Sequence, residues 1–344
     1  MASSESAHAG WLMARAVGRI AESASDPSML RDIAREIGRD AVANEPERFA
    51  SMRARVAKCP HSVFLDWSRD AADAFGDADA ATATHTVLCA LIEGIKIIDD
   101  IQDEEPECLA TEIGVERALN LALGAFAHGL ELTAALPWPD AQWRAATASI
   151  GRGVRETAIG QELELTSDGS FDGYWAIVDA KSTPLVATAL ELGVLATGAD
   201  PSRAAALTRI ARPLARLLQV GDDCNDALGT NASDWRAPDR NLLMLYSLSG
   251  PRGPELAALL RDAADPETLR EAQLVLLRDG ALAYAVHAQV TLLDELDAAI
   301  LTLALPNPEP FRWLLESQRA ATARLLRQSG VEEEVAAKVI ATAG

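Results

Sequence analysis

The chain contains 344 residues, of which 49% are hydrophobic and 24% are charged, and its formal net charge is −20 at pH 7. The length allows one large domain or two ordinary ones, and the composition supplies a sizeable core and excludes a disordered chain. The acidic balance excludes nucleic acid and anionic membrane surfaces as favoured partners. An anionic substrate would need local positive charge, either from metal ions or from a few lysines and arginines.

Hydrophobic residues recur at helical spacing along almost the whole chain, and no segment shows the alternation of a strand. The predicted helices are separated by Gly and Pro stop signals and span residues 11–24, 28–43, 46–57, 61–75, 80–103, 113–134, 140–167, 172–198, 201–229, 240–249, 253–263, 266–279, 281–303, 308–328 and 331–342. We therefore expect an all-α protein with one large domain over residues 46–344, preceded by a helical extension over residues 1–45.

The cysteines and the N-terminus indicate the cellular compartment in which we expect the protein. The four cysteines are Cys59, Cys89, Cys108 and Cys224, and they form no Cys-x-x-Cys pair, which indicates reduced thiols. The N-terminus lacks the charged-then-apolar layout of a secretory signal, and no apolar run approaches the roughly 18 residues of a membrane span. We expect a cytoplasmic protein without a membrane span.

Two acidic clusters of identical spacing follow apolar helical runs and lie just before helix ends. They are Asp99-Asp100-Ile101-Gln102-Asp103 and Asp222-Asp223-Cys224-Asn225-Asp226. Each carboxylate near a helix C-terminus faces the negative end of the helix dipole, which costs about 0.3–1 kcal/mol. One such cluster is more often a solvated helix end. Two copies favour a cation site, and oxygen ligands suit Mg²⁺, which carboxylates commonly hold together with substrate phosphates.

The predicted topology brings the two clusters together. Short loops imply that successive helices run antiparallel, so helices 80–103, 140–167 and 201–229 point the same way. Both acidic clusters then open at one end of the bundle. Gln161, late in one of these helices, and Lys181, early in a returning helix, reach the same end. This convergence of distant residues is a stronger signal than either cluster alone.

The shared end suits a metal-bound polyphosphate. In each cluster the first and last aspartates are one helical turn apart and share a face. The expected Mg²⁺ ligands and catalytic residues are Asp99, Asp103, Asp222 and Asp226, supported by Asp100 and Asp223. The expected diphosphate contacts are Lys181 and Arg240, with Gln161 and Gln219 as further polar contacts. Such a clamp would stabilise the charge that develops on a departing diphosphate.

An apolar helix face lies beneath the first cluster. It consists of Ile95, Ile92, Leu91 and Leu88, and eleven residues of helix extend roughly 16 Å into the bundle. Gly94 either leaves room for a longer or folded hydrocarbon or allows close helix packing. A diphosphate at the mouth and a hydrocarbon below it describe an allylic prenyl diphosphate, although the same face is also typical of a plain core.

These residues resemble the trans-isoprenyl diphosphate synthase (polyprenyl synthetase) family over about residues 58 to 305. The family's Phe-Gln-x-x-Asp-Asp-x-x-Asp stretch is similar to residues 218–226, its Gly-Gln segment resembles Gly160-Gln161, and its Lys-Thr pair resembles Lys181-Ser182. Arg240 falls where the family has a diphosphate-binding Lys. The resemblance implies an isoprenoid-synthase bundle with a central apolar cavity, Mg²⁺, an allylic prenyl diphosphate substrate and a homodimer.

The departures concern the family's site for the second substrate, isopentenyl diphosphate. The family's Gly-Gly-Lys-Arg-x-Arg segment is replaced by Cys59-Pro60-His61-Ser62-Val63-Phe64, a His of that site by Ile92, and an Arg-Arg pair by Cys108-Leu109. A buried diphosphate without basic partners is strongly penalised.

Three interpretations follow. The first is a terpene-synthase-like enzyme that ionises an allylic diphosphate and then cyclises, rearranges, deprotonates or hydrates the cation. The alternative is a prenyltransferase whose acceptor is a nucleophile without a diphosphate, or isopentenyl diphosphate held in an unusual way. The third is a silent regulatory subunit, which would have no need for six aspartates.

Overall fold

The structure is a computed structural model that describes residues 62–105, 108–167, 169–229 and 233–328. Across these residues it contains α-helices and short 3₁₀ helices and no strand, which confirms the all-α prediction. The α-helices are α1 (Ser62–Ala74), α2 (Thr82–Gln102), α3 (Leu109–Ile113), α4 (Val115–Ala135), α5 (Asp140–Leu165), α6 (Phe171–Lys181), α7 (Thr183–Ala196), α8 (Pro201–Ala206), α9 (Thr208–Leu228), α10 (Leu242–Leu248), α11 (Gly253–Leu259), α12 (Pro266–Asp279), α13 (Ala281–Thr302) and α14 (Glu309–Gln328). The 3₁₀ helices span Ala78–Ala81, Ser233–Arg236, Pro238–Arg240 and Leu260–Asp262.

Helix α7 is the core helix of the bundle. Every residue from Val186 to Leu195 is buried, as expected for a helix that is apolar on all sides. It packs against α1, α5 and α9, and it also contacts α2. Glu191 within this stretch is paired with Arg152 of α5 at 2.5 Å, so its charge is not left alone in the core.

Helices α2 and α9 carry the acidic clusters, and both pack on α7. Helix α2 also lies along α4, and α9 lies along α13. Asp103 is the C-cap of α2, whereas the second cluster occupies the last two turns of α9. Because α7 touches both helices, the bundle holds the two cluster-bearing ends near each other.

The predicted helix 172–198 is divided in two at Ser182. Pro184 has no N–H to bond the carbonyl of Ala180, so the helical ladder is interrupted there. The hydroxyl of Thr157 on α5 donates to the carbonyl of Lys181 at 3.0 Å and satisfies part of the exposed helix end. The break fixes the position of Lys181 at the end of α6.

Other helix boundaries differ more modestly from those predicted. The predicted helix 201–229 is divided at Leu207, and the predicted helix 240–249 begins as a 3₁₀ turn followed by α10. Asn241 caps α10 by accepting from the N–H groups of Leu243 and Met244. The predicted extension over residues 1–45 and helix 331–342 lie outside the described residues, so the domain division stays a prediction.

Among the residues that the structure describes, one helical segment, Ala78–Gln102, is long and apolar enough to cross a membrane by length and composition. The buried share of its most apolar window is 61%, and α4 packs along it. These features are those of a core helix. The cysteines that fall within the described residues, Cys89, Cys108 and Cys224, are buried and form no disulfide there.

Candidate active site

A cleft of about 500 Å³ opens between the ends of α2, α5, α6 and α9 and the 3₁₀ segment Pro238–Arg240. Both acidic clusters contribute to its wall. Its acidic lining residues are Asp99, Asp103, Glu104, Glu105, Glu164, Asp222, Asp223 and Asp226, and its basic ones are Lys96, Lys181, Arg236 and Arg240. Eight carboxylates against four cations leave a formal charge of −4. The fold therefore brings the two clusters to one cleft, as the predicted topology indicated.

Two aspartates of the first cluster and a glutamate of α5 form a compact group of carboxylates in the cleft. Oxygen atoms of Asp99, Asp103 and Glu164 all lie within 4.8 Å of one another. An all-oxygen set of this kind fits a hard divalent cation such as Mg²⁺. Glu164 was not among the residues predicted from the sequence. Its signal was its position three residues after Gln161, on the same helix and near the same end.

Lys181 lies between two of these carboxylates. Its Nζ atom is 2.8 Å from Asp99 Oδ1 and 2.6 Å from Glu164 Oε2. Burial alone would lower the pKa of Lys181, but the charges of Asp99 and Glu164 outweigh it and raise the pKa. Lys181 therefore stays cationic and neutralises part of the carboxylate group.

Gly160 allows α5 to approach Lys181 closely. A Cβ atom at Gly160 would lie 2.3 Å from the Lys181 backbone nitrogen, a separation that real structures do not show. The contact brings the end of α5, with Glu164 one turn further on, against the start of the break at Ser182. The Gly-Gln segment thus acts here through its glycine.

Lys96 is a further basic residue beside the first cluster, and the sequence analysis did not single it out. Its Nζ atom is 2.7 Å from Asp100 Oδ1 and 3.5 Å from Asp99 Oδ2. Burial opposes its charge, but the hydrogen bond to Asp100 and the charge of Asp99 raise its pKa. The signal was its spacing of three and four residues from the first two aspartates.

The middle aspartate of the second cluster is buried and fully engaged by protein donors. Asp223 Oδ2 accepts from the Tyr174 hydroxyl at 2.6 Å and from the Leu242 N–H at 2.7 Å. Its Oδ1 accepts from Gln219 Nε2 at 2.8 Å. Burial raises the pKa of Asp223 to about 6, although these hydrogen bonds pull it down. We therefore place Asp223 among the residues that position the site, and not among the supporting metal ligands that we expected.

This buried aspartate also fixes the segment that carries Arg240. Asn241 Nδ2 donates to the Asp223 carbonyl at 2.9 Å, next to the Leu242 contact. Arg240 then reaches across the cleft, and its Nη1 donates to Asp103 Oδ1 at 2.5 Å. The two clusters are thus connected through one short segment.

The two predicted glutamines differ in placement. Gln219 lines the cleft, but its amide is directed to Asp223. Gln161 is buried in α5 and does not line the cleft. A direct contact between Gln161 and a ligand at the mouth is therefore not what this structure shows. Asp222 and Asp226 both face the cleft, as predicted.

The apolar part of the cleft wall is only partly the face predicted from α2. Ile92 and Ile95 line it, together with Phe64, Leu185 and Leu218, which the sequence analysis did not assign to the cavity. The other three predicted cavity residues point elsewhere, because the α2 surface also has to pack against α4. The structure therefore corrects the assignment of Leu88, Leu91 and Gly94 to the cavity wall.

Each of these three residues has another neighbour. Leu88 lines a separate small cavity beside α1. Leu91 packs on α4, where its Cδ2 would be 3.2 Å from a Cβ atom at Gly129. A Cβ atom at Gly94 would lie 2.9 Å from the ring of Phe126. Gly94 therefore serves close helix packing and leaves no room for a longer chain.

Known structures share this architecture. A geranylgeranyl pyrophosphate synthase aligns with a TM-score of 0.70 at 16% identity, covering 81% of this chain and 92% of its own. A polyprenyl synthase from Caulobacter crescentus CB15, complexed with calcium and isoprenyl diphosphate, aligns with a TM-score of 0.65 at 22% identity, covering 79% and 88%. A geranylgeranyl pyrophosphate synthase from Corynebacterium glutamicum, also with calcium and isoprenyl diphosphate, gives 0.67 at 19% identity, covering 88% and 98%. No curated protein matches the chain at a significant level.

The fold is therefore that of the all-α isoprenoid synthases. The polyprenyl synthetase family model matches residues 68–237, a stretch that contains both acidic clusters, Glu164 and Lys181. Over this stretch the chain is similar to the polyprenyl synthetase family.

Proposed function

We propose that the protein is a prenyltransferase that ionises an allylic prenyl diphosphate in this cleft, with Mg²⁺ as cofactor. The family-model match and the structural neighbours support prenyl transfer better than our first interpretation from sequence, a terpene-synthase-like reaction. The observation that carries the proposal is the meeting of the two acidic clusters, Lys181 and Arg240 on one cleft with an apolar wall.

The charge of the cleft supports a cation-dependent mode of binding. Its formal charge of −4 would repel a diphosphate. Divalent ions held by Asp99, Asp103, Glu164, Asp222 and Asp226 would reverse that repulsion. Bound there, Mg²⁺ would act as a Lewis acid that stabilises charge on the leaving diphosphate.

Lys181 and Arg240 have a second role in the proposed reaction, as contacts for the diphosphate. Lys181 and Arg240 each pair with an aspartate of the first cluster. When these aspartates turn to a metal, both side chains are placed to donate to diphosphate oxygens. Arg240 presents a planar guanidinium suited to bidentate contact, and Lys181 presents a point charge.

The apolar wall suits the hydrocarbon part of the substrate. Phe64, Ile92, Leu185 and Leu218 lie beside the carboxylates and would exclude water from an allylic cation. An acceptor nucleophile bound along this wall would then capture the cation and release its own proton.

A second candidate function, the terpene-synthase-like reaction, is favoured by one observation. Phe64 and Ile92, which stand where the resemblance implies basic and imidazole groups for isopentenyl diphosphate, both line the cleft as apolar residues. An acceptor diphosphate would find little positive charge on that side. An acceptor without a diphosphate, or no acceptor at all, fits this wall better.

One experiment separates these functions. The purified full-length protein is incubated with Mg²⁺ and geranyl, farnesyl or geranylgeranyl diphosphate, each with and without isopentenyl diphosphate, and the products are identified by mass spectrometry. An elongated diphosphate supports the transferase with that acceptor. Hydrocarbon or alcohol formed without isopentenyl diphosphate supports the second function. Absence of diphosphate release under every condition would contradict both and favour a silent regulatory subunit.

We also propose that the protein is a cytoplasmic homodimer. Large apolar side chains are exposed at four-residue intervals on α4 (Val115, Leu119 and Leu123), and Ile159 and Leu163 are exposed on the neighbouring α5. Leu123 is 69% exposed. Such a patch is typical of an interface. Sedimentation should show a dimer that Leu123→Asp converts to a monomer, whereas Leu301→Asp, at an exposed leucine on α13, should leave it intact.

A further inference from the structure

A second cavity lies apart from the cleft, where the start of α6 meets α10, α13 and the end of α12. Its volume is about 350 Å³. Its lining residues are Phe171, Tyr246, Ser249, Gly250, Pro251, Asp279 and Tyr284, none of which lines the cleft. The size is within the usual range for small-molecule sites, and nothing in the proposed reaction uses it.

Three aromatic rings form one side of this cavity. Tyr246 stacks on Tyr284 with ring centroids 4.7 Å apart and planes 20° apart. Phe171 meets Tyr284 edge-on at 5.8 Å and 70°. Aromatic rings carry negative charge on their faces, and clusters of them attract organic cations more than neutral molecules of the same shape.

Asp279 supplies a carboxylate to the same cavity. Its side chain is only 6% exposed, and its Oδ1 is 3.4 Å from Nε of Arg252. Its Oδ2 is buried and has no hydrogen-bond partner within the part of the chain that the structure describes. A buried carboxylate oxygen without a donor is costly, all the more at the C-terminal end of a helix, where Asp279 is the last residue of α12.

The nearby charges leave this carboxylate only partly neutralised. Arg252 is shared between Asp279 and Glu255, whose Oε2 is 3.2 Å from Arg252 Nη1. One cation between two carboxylates leaves a local formal charge of −1. A ligand that carries one positive charge and an apolar body would match both Oδ2 of Asp279 and the three aromatic rings of the cavity.

We propose that this cavity is a binding site for a small organic cation, of the quaternary or protonated amine class. Asp279 Oδ2 provides the counter-charge, and Phe171, Tyr246 and Tyr284 enclose the alkyl groups. The site is separate from the cleft and does not depend on the proposed function.

The test compares choline with its uncharged isostere 3,3-dimethyl-1-butanol, each titrated into the full-length protein by calorimetry. Choline should bind saturably and at least roughly tenfold more tightly than the isostere, because ion pairing and cation–π attraction act only on the charged form. Asp279→Asn and Tyr246→Leu should each weaken choline binding by about tenfold. Asp262→Asn, at an exposed acidic residue on the neighbouring 3₁₀ turn, should leave it unchanged.

The acidic cleft is the competing cation site, so Asp222→Asn serves as its control and should also leave choline binding unchanged. Circular dichroism confirms that each variant is folded, and Tyr246→Leu decides the matter if Asp279→Asn does not fold. Equal affinity for the two probes, no saturable choline binding, or loss of binding in Asp222→Asn alone would each overturn the proposal.

Discussion

The two acidic clusters have the same spacing, yet their middle aspartates lie in different surroundings. Asp100 of the first cluster is partly exposed and pairs with Lys96 on its own helix. Asp223 of the second is buried and accepts three hydrogen bonds, from Tyr174, Gln219 and the Leu242 N–H. The first cluster is paired with cationic side chains, whereas the second has its middle aspartate built into the core.

The difference shows why two copies of one motif are not functionally equal. The carboxylates of the first cluster are neutralised by Lys96, Lys181 and Arg240, which would have to turn away for the proposed metal to bind there. In the second cluster all three aspartates line the cleft, but the carboxylate of Asp223 is taken up by protein donors, and its backbone carbonyl holds Asn241 beside Arg240. The first cluster is therefore suited to exchange partners, and the second to set geometry.

The largest expected effect comes from the cleft-facing aspartates of both clusters. Asp99→Asn and Asp222→Asn should each reduce Mg²⁺-dependent diphosphate release by on the order of 10²–10³-fold, because each removes stabilisation of the leaving group. Both should change the free energy of unfolding by less than about 1 kcal/mol, since the ion pair of Asp99 is partly solvated and Asp222 is exposed. Stopped assays of released diphosphate and urea unfolding measure the two quantities. Near wild-type turnover in either variant would contradict the metal clamp.

Substitutions of the two middle aspartates should differ in how much they lower the free energy of unfolding. Asp223→Asn should destabilise the protein by about 2–4 kcal/mol, because it disturbs a buried carboxylate that satisfies three donors. Asp100→Asn should cost less than about 1 kcal/mol. Tyr174→Phe, which removes a single donor, should cost about 1 kcal/mol. Urea unfolding in EDTA measures all three, and equal costs for Asp100 and Asp223 would remove the distinction between the clusters.

Two glycines on α5 test how Lys181 is positioned beside the first cluster. Gly160→Ala should cost about 1–3 kcal/mol and reduce turnover, because its Cβ would overlap the Lys181 backbone. Gly151→Ala is the matched control, since nothing lies within 4 Å of its Cβ position, and it should stabilise the helix by about 0.5–1 kcal/mol. Thermal unfolding of both variants checks this. Equal tolerance at the two positions would show that the close approach of α5 is not needed.

Much of the fold could be predicted from the sequence, because the helical periodicity and the Gly and Pro stops are local signals. The division at Ser182 is an instructive exception. Pro184 was visible, but whether a helix kinks or breaks at a proline depends on what satisfies the freed carbonyls. Here Thr157 of another helix donates to the carbonyl of Lys181 beside the break. That contact is tertiary and leaves no trace in the local pattern.

The site was predictable where spacing along one helix mattered and less so where packing mattered. Antiparallel topology sufficed to bring Asp99, Asp222 and Lys181 to one end of the bundle. It could not show that Asp223 turns inward, or that Gly94 faces Phe126 of α4. Phe64 and Leu185 enter the cleft wall from other helices, and apolar residues of this kind occur throughout the chain.

The smallest expected effect extends the comparison to an acidic residue outside the cleft. Burial, together with repulsion from Asp66 and Asp73, raises the pKa of Asp70 to about 6 from 3.8. Folding therefore favours the protonated form, and this contribution to stability is present below pH 3.8 and is lost as the pH rises through 6. Asp70→Asn should accordingly become more stable than wild type between these values, by about 1 kcal/mol at neutral pH after solvent screening.

Urea unfolding of Asp70→Asn and wild type at several pH values measures this difference, with Asp262→Asn as an exposed control that should stay within about 0.5 kcal/mol of wild type. A difference that grows as the pH falls would contradict the sign. The expected sign would show that a half-buried carboxylate with like-charged neighbours destabilises the fold. In the cleft, the aspartates of the first cluster are instead paired with Lys96, Lys181 and Arg240, which offset the same kind of repulsion.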